Sequence, residues 1–269
     1  MSHILLLIAI ALYSIATALI ARQLRSPSND VDGLHRSFYI ACLAAAMHGI
    51  YTVITCFAGA RLNLSLSSMA VVVSLITTVI FLLAGTRMSI RRLGILVFPM
   101  TILSLVFSLA WPESDEINPS TNTLLSVHIL ISLSAYAFIT LALIQALLHW
   151  YQERQIRART QPAMLTALPP LQTMELLWFR LILLGFSCLT LTLVSGALFS
   201  QQIFGHAFVF QHHTVLAVMG WFVFLVLIFN RLRTGLRGIQ AALWTFLGFG
   251  LIQLGYFGTK IVSESLHFQ

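Results

Sequence analysis

Residues 1–21, MSHILLLIAIALYSIATALIA, decide how the rest of the chain is read. Ala16-Thr17-Ala18 has the small-x-small look of a signal cleavage site, so the stretch is either a removable leader or a first membrane helix. The order of charge separates the two. A secretory signal peptide puts basic residues ahead of its apolar core. Here no Lys or Arg precedes the apolar run, whereas Arg22 and Arg25 follow it. The stretch is expected to be an uncleaved span with its N-terminus on the outer side.

The same reading extends along the whole chain. A helix needs roughly 20 mostly apolar residues to cross a bilayer. Eight stretches qualify, approximately 3–21, 36–58, 67–85, 93–111, 123–150, 178–200, 213–230 and 240–263. Of the 269 residues 58% are apolar and only 9% charged, against roughly 25% charged in globular chains, so the sequence cannot cover a water-facing surface. The runs are continuous and lack the period-2 alternation of barrel strands. The expected fold is an all-α integral membrane protein, a single polytopic domain over 1–269 with eight transmembrane helices.

Basic residues set the orientation, because they concentrate on the cytoplasmic side. Arg22, Arg25 and Arg36 flank the first connection, and Arg87, Arg91 and Arg92 fill the third. Arg154, Arg157, Arg159 and Arg180 belong to the fifth, and Arg231, Arg233 and Arg237 to the seventh. Of the 15 Lys and Arg, only Arg61 and Lys260 fall on the other side, with the acidic Glu113, Asp115 and Glu116. Both termini are then outer, or periplasmic, in a multi-pass protein of a bacterial inner membrane. The formal charge of +7 reports this topology and not a nucleic-acid partner. The connection at about 151–177 is expected to start as helix (QERQIRAR) and to be broken by Pro162, Pro169 and Pro170. Cys42, Cys56 and Cys188 lie in apolar stretches without CxxC spacing, and read as small hydrophobes.

This topology sorts the histidines. His128 stands near the outer start of span five, His206, His212 and His213 lie between spans six and seven, and His267 follows span eight. Five of the nine histidines thus gather on the outer face. His48 is placed instead near the middle of span two (AAAMHGIYT), where an ionisable side chain is a functional candidate by default. His149 is near the inner end of span five, His35 in the first inner connection, and His3 at the N-terminus. Each has a plainer reading, as an interfacial side chain or a helix-to-helix hydrogen bond. The outer set differs in keeping company with the flat rings of FGHAFVFQHHTV, residues 204–215. Imidazoles with aromatic rings between them suit a planar ligand with an axial metal, such as haem, though the same rings would serve as an interfacial belt. Zinc is the weaker alternative, since no HxxxH, HExxH or Cys/His spacing occurs. No nucleophile elbow, phosphate-binding glycine loop or paired intramembrane carboxylates appear, which leaves hydrolase, NTPase and carboxylate-driven pump without support.

Residues from Ser195, SGALFSQQIFGHAFVFQHHTV, resemble the haem-handling segment of the CcsA and CcmC type of cytochrome c assembly protein. That segment ends a helix with SGA and continues W-G-x-x-W-x-W-D. Here Phe204-Gly205-x-x-Phe208-x-Phe210-Gln211 keeps the spacing, with Phe for each Trp and Gln for Asp. LRGIQAALWTFLGFGLIQLGYFG and SLHFQ resemble the family's last helix and tail, VHILISLSAYAF resembles the helix that opens with an external histidine, and LPPLQTME before span six resembles the YpjD branch. The eight-span form is similar to the HemX and YpjD members. The similarity covers about residues 120–269 well and the first 120 loosely.

The resemblance implies that His128 and His267 are axial ligands of haem iron on either side of the aromatic loop. Phe204, Phe208 and Phe210 would support the porphyrin, His48 would match an intramembrane histidine, and His212 or His213 would be an extra ligand or a propionate partner. Lys260 or Arg61 would meet the propionates by their location and charge. Replacing every Trp and the Asp keeps an apolar platform but removes indole N–H donors and a carboxylate. Covalent haem ligation to apocytochrome c is therefore not expected, and the chain reads as non-enzymatic. Its expected partners are the bilayer, haem and another membrane subunit of cytochrome c assembly. Two other readings stay open: a small-solute or metal transporter working through His48, and a ligand-free assembly or regulatory subunit.

Overall fold

The computed structural model of the protein describes residues 2–25, 31–56, 62–63, 65–87, 90–111, 116–117, 123–159, 170–204 and 212–258. Among these, the apolar runs become α1 (Ser2–Arg25), α2 (Val31–Cys56), α3 (Leu66–Arg87), α4 (Gly94–Ala110), α5 (Thr123–Arg157), α6 (Leu171–Phe204), α7 (His212–Thr234) and α8 (Gly238–Gln253). A π-helical turn, Leu254–Gly258, continues α8. The first seven are long and apolar enough to cross a membrane, and α8 is a shorter apolar helix. Several helices overrun the apolar stretches that predict them. The α5 helix carries on through QERQIR, as expected, and α6 starts at Leu171 and not at 178. The cause is physical: hydropathy marks only the lipid-facing turns, while the backbone hydrogen bonds of a helix propagate through polar turns at its ends. Arg180, read as part of the fifth connection, is consequently an exposed residue on α6. The end of the eighth stretch, 259–263, lies outside the described residues, as do Pro162 and Pro169.

The chain groups into two compact units, Met1–Ser120 with Gln155–Pro170, and Thr121–Arg154 with Leu171–Gln269. In the first, α1 runs against α2 and α4, and α3 packs on α2 and α4. The buried stripe of α1 is Leu6, Ala9, Tyr13, Ala16 and Ile20, and that of α2 includes Ser37, Ala41, Ala44 and His48. This three-and-four spacing keeps one face inward. The alanines let the backbones come close, the usual basis of helix association in lipid. Polar bonds add register: Thr78 Oγ1 and Thr101 Oγ1 are 2.8 Å apart between α3 and α4. Arg91, in the turn before α4, donates from Nε to the Gly85 carbonyl at 3.0 Å and lays its guanidinium 4.4 Å from the Phe38 ring centroid. A two-residue antiparallel ladder, β1 (Leu62–Asn63) with β2 (Glu116–Ile117), pairs Leu62 with Ile117 and Asn63 with Glu116. It joins the connection after α2 to the connection after α4.

The second unit is held by small residues at helix crossings. A Cβ on Gly185 of α6 would meet Ile139 Cγ1 of α5 at 2.7 Å, and one on Gly248 of α8 would meet the Phe224 ring of α7 at 2.8 Å. The glycines of α8 divide: Gly248 faces α7, while Gly250 has nothing within 4 Å of a Cβ. Trp221 of α7 stacks on Phe186 of α6, centroids 5.4 Å apart, and donates from Nε1 to Thr190 Oγ1 at 2.8 Å. The α7–α8 turn is short. Gly235 at φ 67° ends α7 in the left-handed conformation, where its N–H bonds the Arg231 carbonyl at 3.2 Å, a common helix stop.

Candidate functional site

His128 lies on the second turn of α5, and its position follows from the neighbouring helix. Its Nδ1 is 2.7 Å from Ser195 Oγ on α6. Ser195 is itself within 2.6 Å of the Leu191 carbonyl and 3.2 Å of the Thr192 carbonyl. At the next residue, a Cβ on Gly196 would stand 3.4 Å from His128 Cε1. The SGA stretch therefore receives the imidazole edge-on, Ser195 at the nitrogen and Gly196 at the adjoining carbon. The backbone of His128 is engaged as well, its carbonyl accepting from Ser132 Oγ at 2.7 Å.

His213 sits in the first turn of α7 with an exposed side chain. Its carbonyl oxygen would lie 3.2 Å from a Cβ on Gly255, so the π-helical turn after α8 comes close to the start of α7. His212 is the first residue of α7 and Phe204 the last of α6, and their side chains lie outside the described residues, as do Phe208, Phe210, His206, His267, Arg61 and Lys260. His128, Ser195 and His213 all belong to the second unit. His48 belongs to the first. Its ring is fully buried, faces the Tyr13 ring edge-on at 6.1 Å between centroids, and interacts with the Val71 backbone. Neither of its nitrogens makes a hydrogen bond of ordinary geometry. Leaving such groups dry is costly.

Among the described residues, no group of three or more His, Cys, Asp or Glu side chains is arranged to hold a metal ion. Cys42, Cys56 and Cys188 form no disulfide.

A second polar cluster, at the opposite end of the second unit, went unread in the sequence. Glu175 of α6 is nearly buried and forms an ion pair with Arg231 of α7, while Arg237 stands 3.6 Å from the same carboxylate oxygen. Arg231 also donates to the Leu236 carbonyl at 3.0 Å and lies 4.4 Å from the Phe179 ring centroid. Glu153 of α5 comes within 4.0 Å of His149, and its Oε2 is 2.6 Å from where a Cβ of Gly238 would stand. Charged residues of the stretch read as the connection at about 151–177 thus lie on the helix ends. The signal available was the i, i+4 pair His149 and Glu153. Nothing in the sequence announces the pairing of Glu175 with Arg231. Four helices converge here, and the role the geometry gives the cluster is fastening.

Comparison with known proteins agrees with this architecture. Residues 36–267 match the sequence profile of the cytochrome c assembly protein family, a segment that takes in His48, His128 and His267. Inner membrane protein YpjD of Escherichia coli K12 is 30% identical over 138 residues, 51% of each chain. Protein HemX of Brevibacillus brevis is 25% identical over 138 residues, again 51% of each. Cytochrome c biogenesis protein CcsA of Atropa belladonna is 30% identical over 97 residues, 36% of this chain and 31% of that one. The matched regions span about half the length of the first two relatives or less in the third. No solved structure matches. The seven helices long and apolar enough to cross a membrane among the described residues, together with the likeness to YpjD, make this a multi-pass inner membrane protein. The match over most of its length places the chain in the cytochrome c assembly protein family.

Proposed function

We propose that the protein handles haem at the outer face of the inner membrane in support of cytochrome c biogenesis, without itself forming thioether bonds. Eight helices would cross the bilayer, α8 included, with both termini outside. The alternation of basic connections supports this parity. So does the β1–β2 ladder, which joins the second and fourth connections and so favours a common side for them. His128 and His267 would ligate haem, Phe204, Phe208 and Phe210 would lie under it, and His212, His213, Lys260 and Arg61 would be available to the propionates. When bound, haem would supply an iron that imidazole nitrogens can ligate.

The observation that carries the reading is the setting of His128. One ring nitrogen is anchored to Ser195 at 2.7 Å, which is how metal-binding histidines are usually steadied, with the other nitrogen turned to the metal. The donor chemistry of the described half of the site therefore fits haem. Relatives named for cytochrome c biogenesis give the same direction. Another membrane subunit of cytochrome c assembly would complete the machinery. A haem-replete preparation in detergent tests this: the wild type should show a Soret band with low-spin peaks that the H128A/H267A double variant loses. A wild type that stays colourless after reconstitution with haem would overturn the reading.

A second reading, transport of a small solute or metal, is favoured by one feature, the buried His48 beside Tyr13 in the first unit. It calls for uptake or efflux that His48→Ala abolishes in a protein without a chromophore. A colourless protein that neither transports nor depends on His48, but co-purifies with a membrane partner, would instead be a ligand-free subunit.

A further inference from the structure

We propose that Ser195 is a positioning residue that fixes the tautomer of His128, and so decides which imidazole nitrogen is offered to a ligand. The inference rests on the haem-handling reading of His128 and adds to it the residue that prepares the ligand.

The argument is a proton count. A serine hydroxyl has one hydrogen to donate and two lone pairs to accept with. Ser195 Oγ lies 2.6 Å from the Leu191 carbonyl oxygen and 3.2 Å from that of Thr192. Neither carbonyl can donate, so the hydroxyl hydrogen must point back along α6, as serines in helices commonly do. Were it turned to His128 instead, two oxygens bearing only lone pairs would face each other at 2.6 Å. The 2.7 Å contact between Ser195 Oγ and His128 Nδ1 still requires a hydrogen, and the imidazole must supply it. His128 is therefore the Nδ1–H tautomer. A neutral imidazole carries one such hydrogen, so its Nε2 holds the lone pair that can enter a metal's coordination sphere.

Gly196 contributes the geometry. His128 Cε1 sits over it, 3.4 Å from where a Cβ would be. The ring is thus held along its Nδ1–Cε1 edge by two consecutive residues of α6. Histidines that bind metals gain both orientation and basicity from such outer partners, whose removal typically weakens metal binding 10–100-fold. The sequence shows only an SGA triplet at the end of an apolar run. It takes the packing of α6 on α5 to turn that triplet into a seat for one imidazole.

Two readouts on the full-length protein in detergent test this, one of which needs no haem. In protein labelled with nitrogen-15 at histidine, signals absent from the H128A variant identify His128. They should report Nδ1–H in the wild type and in the Ser195→Thr variant, which keeps a hydroxyl, and a shift toward the other tautomer in Ser195→Ala. In parallel, haem titration should show Ser195→Ala binding about 10–100-fold more weakly than wild type, with Ser195→Thr near wild type. A wild-type His128 protonated at Nε2, or tautomer and haem affinity both unmoved in Ser195→Ala, overturns the assignment to Ser195. If the wild type takes up no haem, the haem-handling reading fails, while the nitrogen signals still judge the tautomer by themselves.

Discussion

Gly220 offers the sharpest test of how the second unit is packed. A Cβ added there would stand 2.6 Å from Ile252 Cγ1, 3.2 Å from Ile252 Cδ1 and 3.3 Å from the Gly248 carbonyl oxygen. Carbon atoms rest at about 3.5–4 Å, so α7 and α8 would have to part by close to an ångström. The nearest atom is the Cγ1 methylene of Ile252, one bond from the branched Cβ, which cannot swing aside as the end of a long side chain could. Overpacking of this kind costs up to about 3 kcal/mol, and alanine's better helix propensity returns about 1 kcal/mol. Gly220→Ala should therefore lose about 2 kcal/mol. Gly250→Ala in the partner helix meets nothing within 4 Å and should be neutral or slightly stabilising. Unfolding in mixed detergent, followed by the fluorescence of Trp221, measures both. Ile252→Ala removes the clashing atom, so its combination with Gly220→Ala should show a favourable coupling in a double-mutant cycle. Equal stability of Gly220→Ala and Gly250→Ala would refute the packing argument, and absence of coupling with Ile252 would locate the clash elsewhere.

Other outcomes follow from the same geometry. Glu175→Ala leaves Arg231 without its carboxylate and should destabilise the protein by about 3 kcal/mol, the lower end for a buried pair; the variant's melting midpoint checks it, and Glu175→Ala/Arg231→Met should recover much of the loss. Thr190→Val deletes the acceptor of the Trp221 indole bond and should cost about 1 kcal/mol with a shift in tryptophan emission, whereas Thr192→Val, whose hydroxyl turns back to the Cys188 carbonyl, should leave the emission unchanged. Gly238→Ala combines a φ of 63° with a Cβ pressed on Glu153, and should lose about 1–2 kcal/mol from strain; Gly238→Ala/Glu153→Ala should recover the steric part only. Single cysteines placed in the 62–63 and 116–117 strands should both be labelled by impermeant thiol reagents from the outer side in a cysteine-free background, and protection of either would contradict the orientation proposed above.

The helices were legible because lipid imposes a simple rule: apolar turns in sufficient number. Their faces were less so. His128 and the SGA triplet could each be picked out, but their meeting depends on the rotation of α6 about its axis. Ser195 is 67 positions away, and hydropathy says nothing about that angle. His48 was placed inside the bilayer by its flanking residues, yet only the packing of α1 on α2 brings Tyr13 to its side. The pairing of Glu175 went unread for a clear reason. Charged residues near prolines look like a solvated linker, while here they lie on continuous helices long enough to fold their ends over the arginines of α7 and the following turn. Phe208 and Phe210 lie outside the described residues, and so does the side chain of Phe204 at the end of α6.

The length of α5 bears on which lipids the protein prefers. Its 35 residues rise about 52 Å at 1.5 Å each, against a bilayer of roughly 40–45 Å with its headgroups. Trp150, with the Arg154 guanidinium 5.5 Å from its ring centroid, marks a natural headgroup level. The turns beyond it carry Arg154, Arg157 and Arg159, all exposed. If this side is cytoplasmic, as proposed above, each such charge near an anionic leaflet is worth about 1 kcal/mol. Two arginines on the end of α5, with Arg159 in the turn that follows, would therefore gather acidic phospholipids around it, and give the protein a higher affinity for membrane regions rich in negative surface charge than for zwitterionic ones.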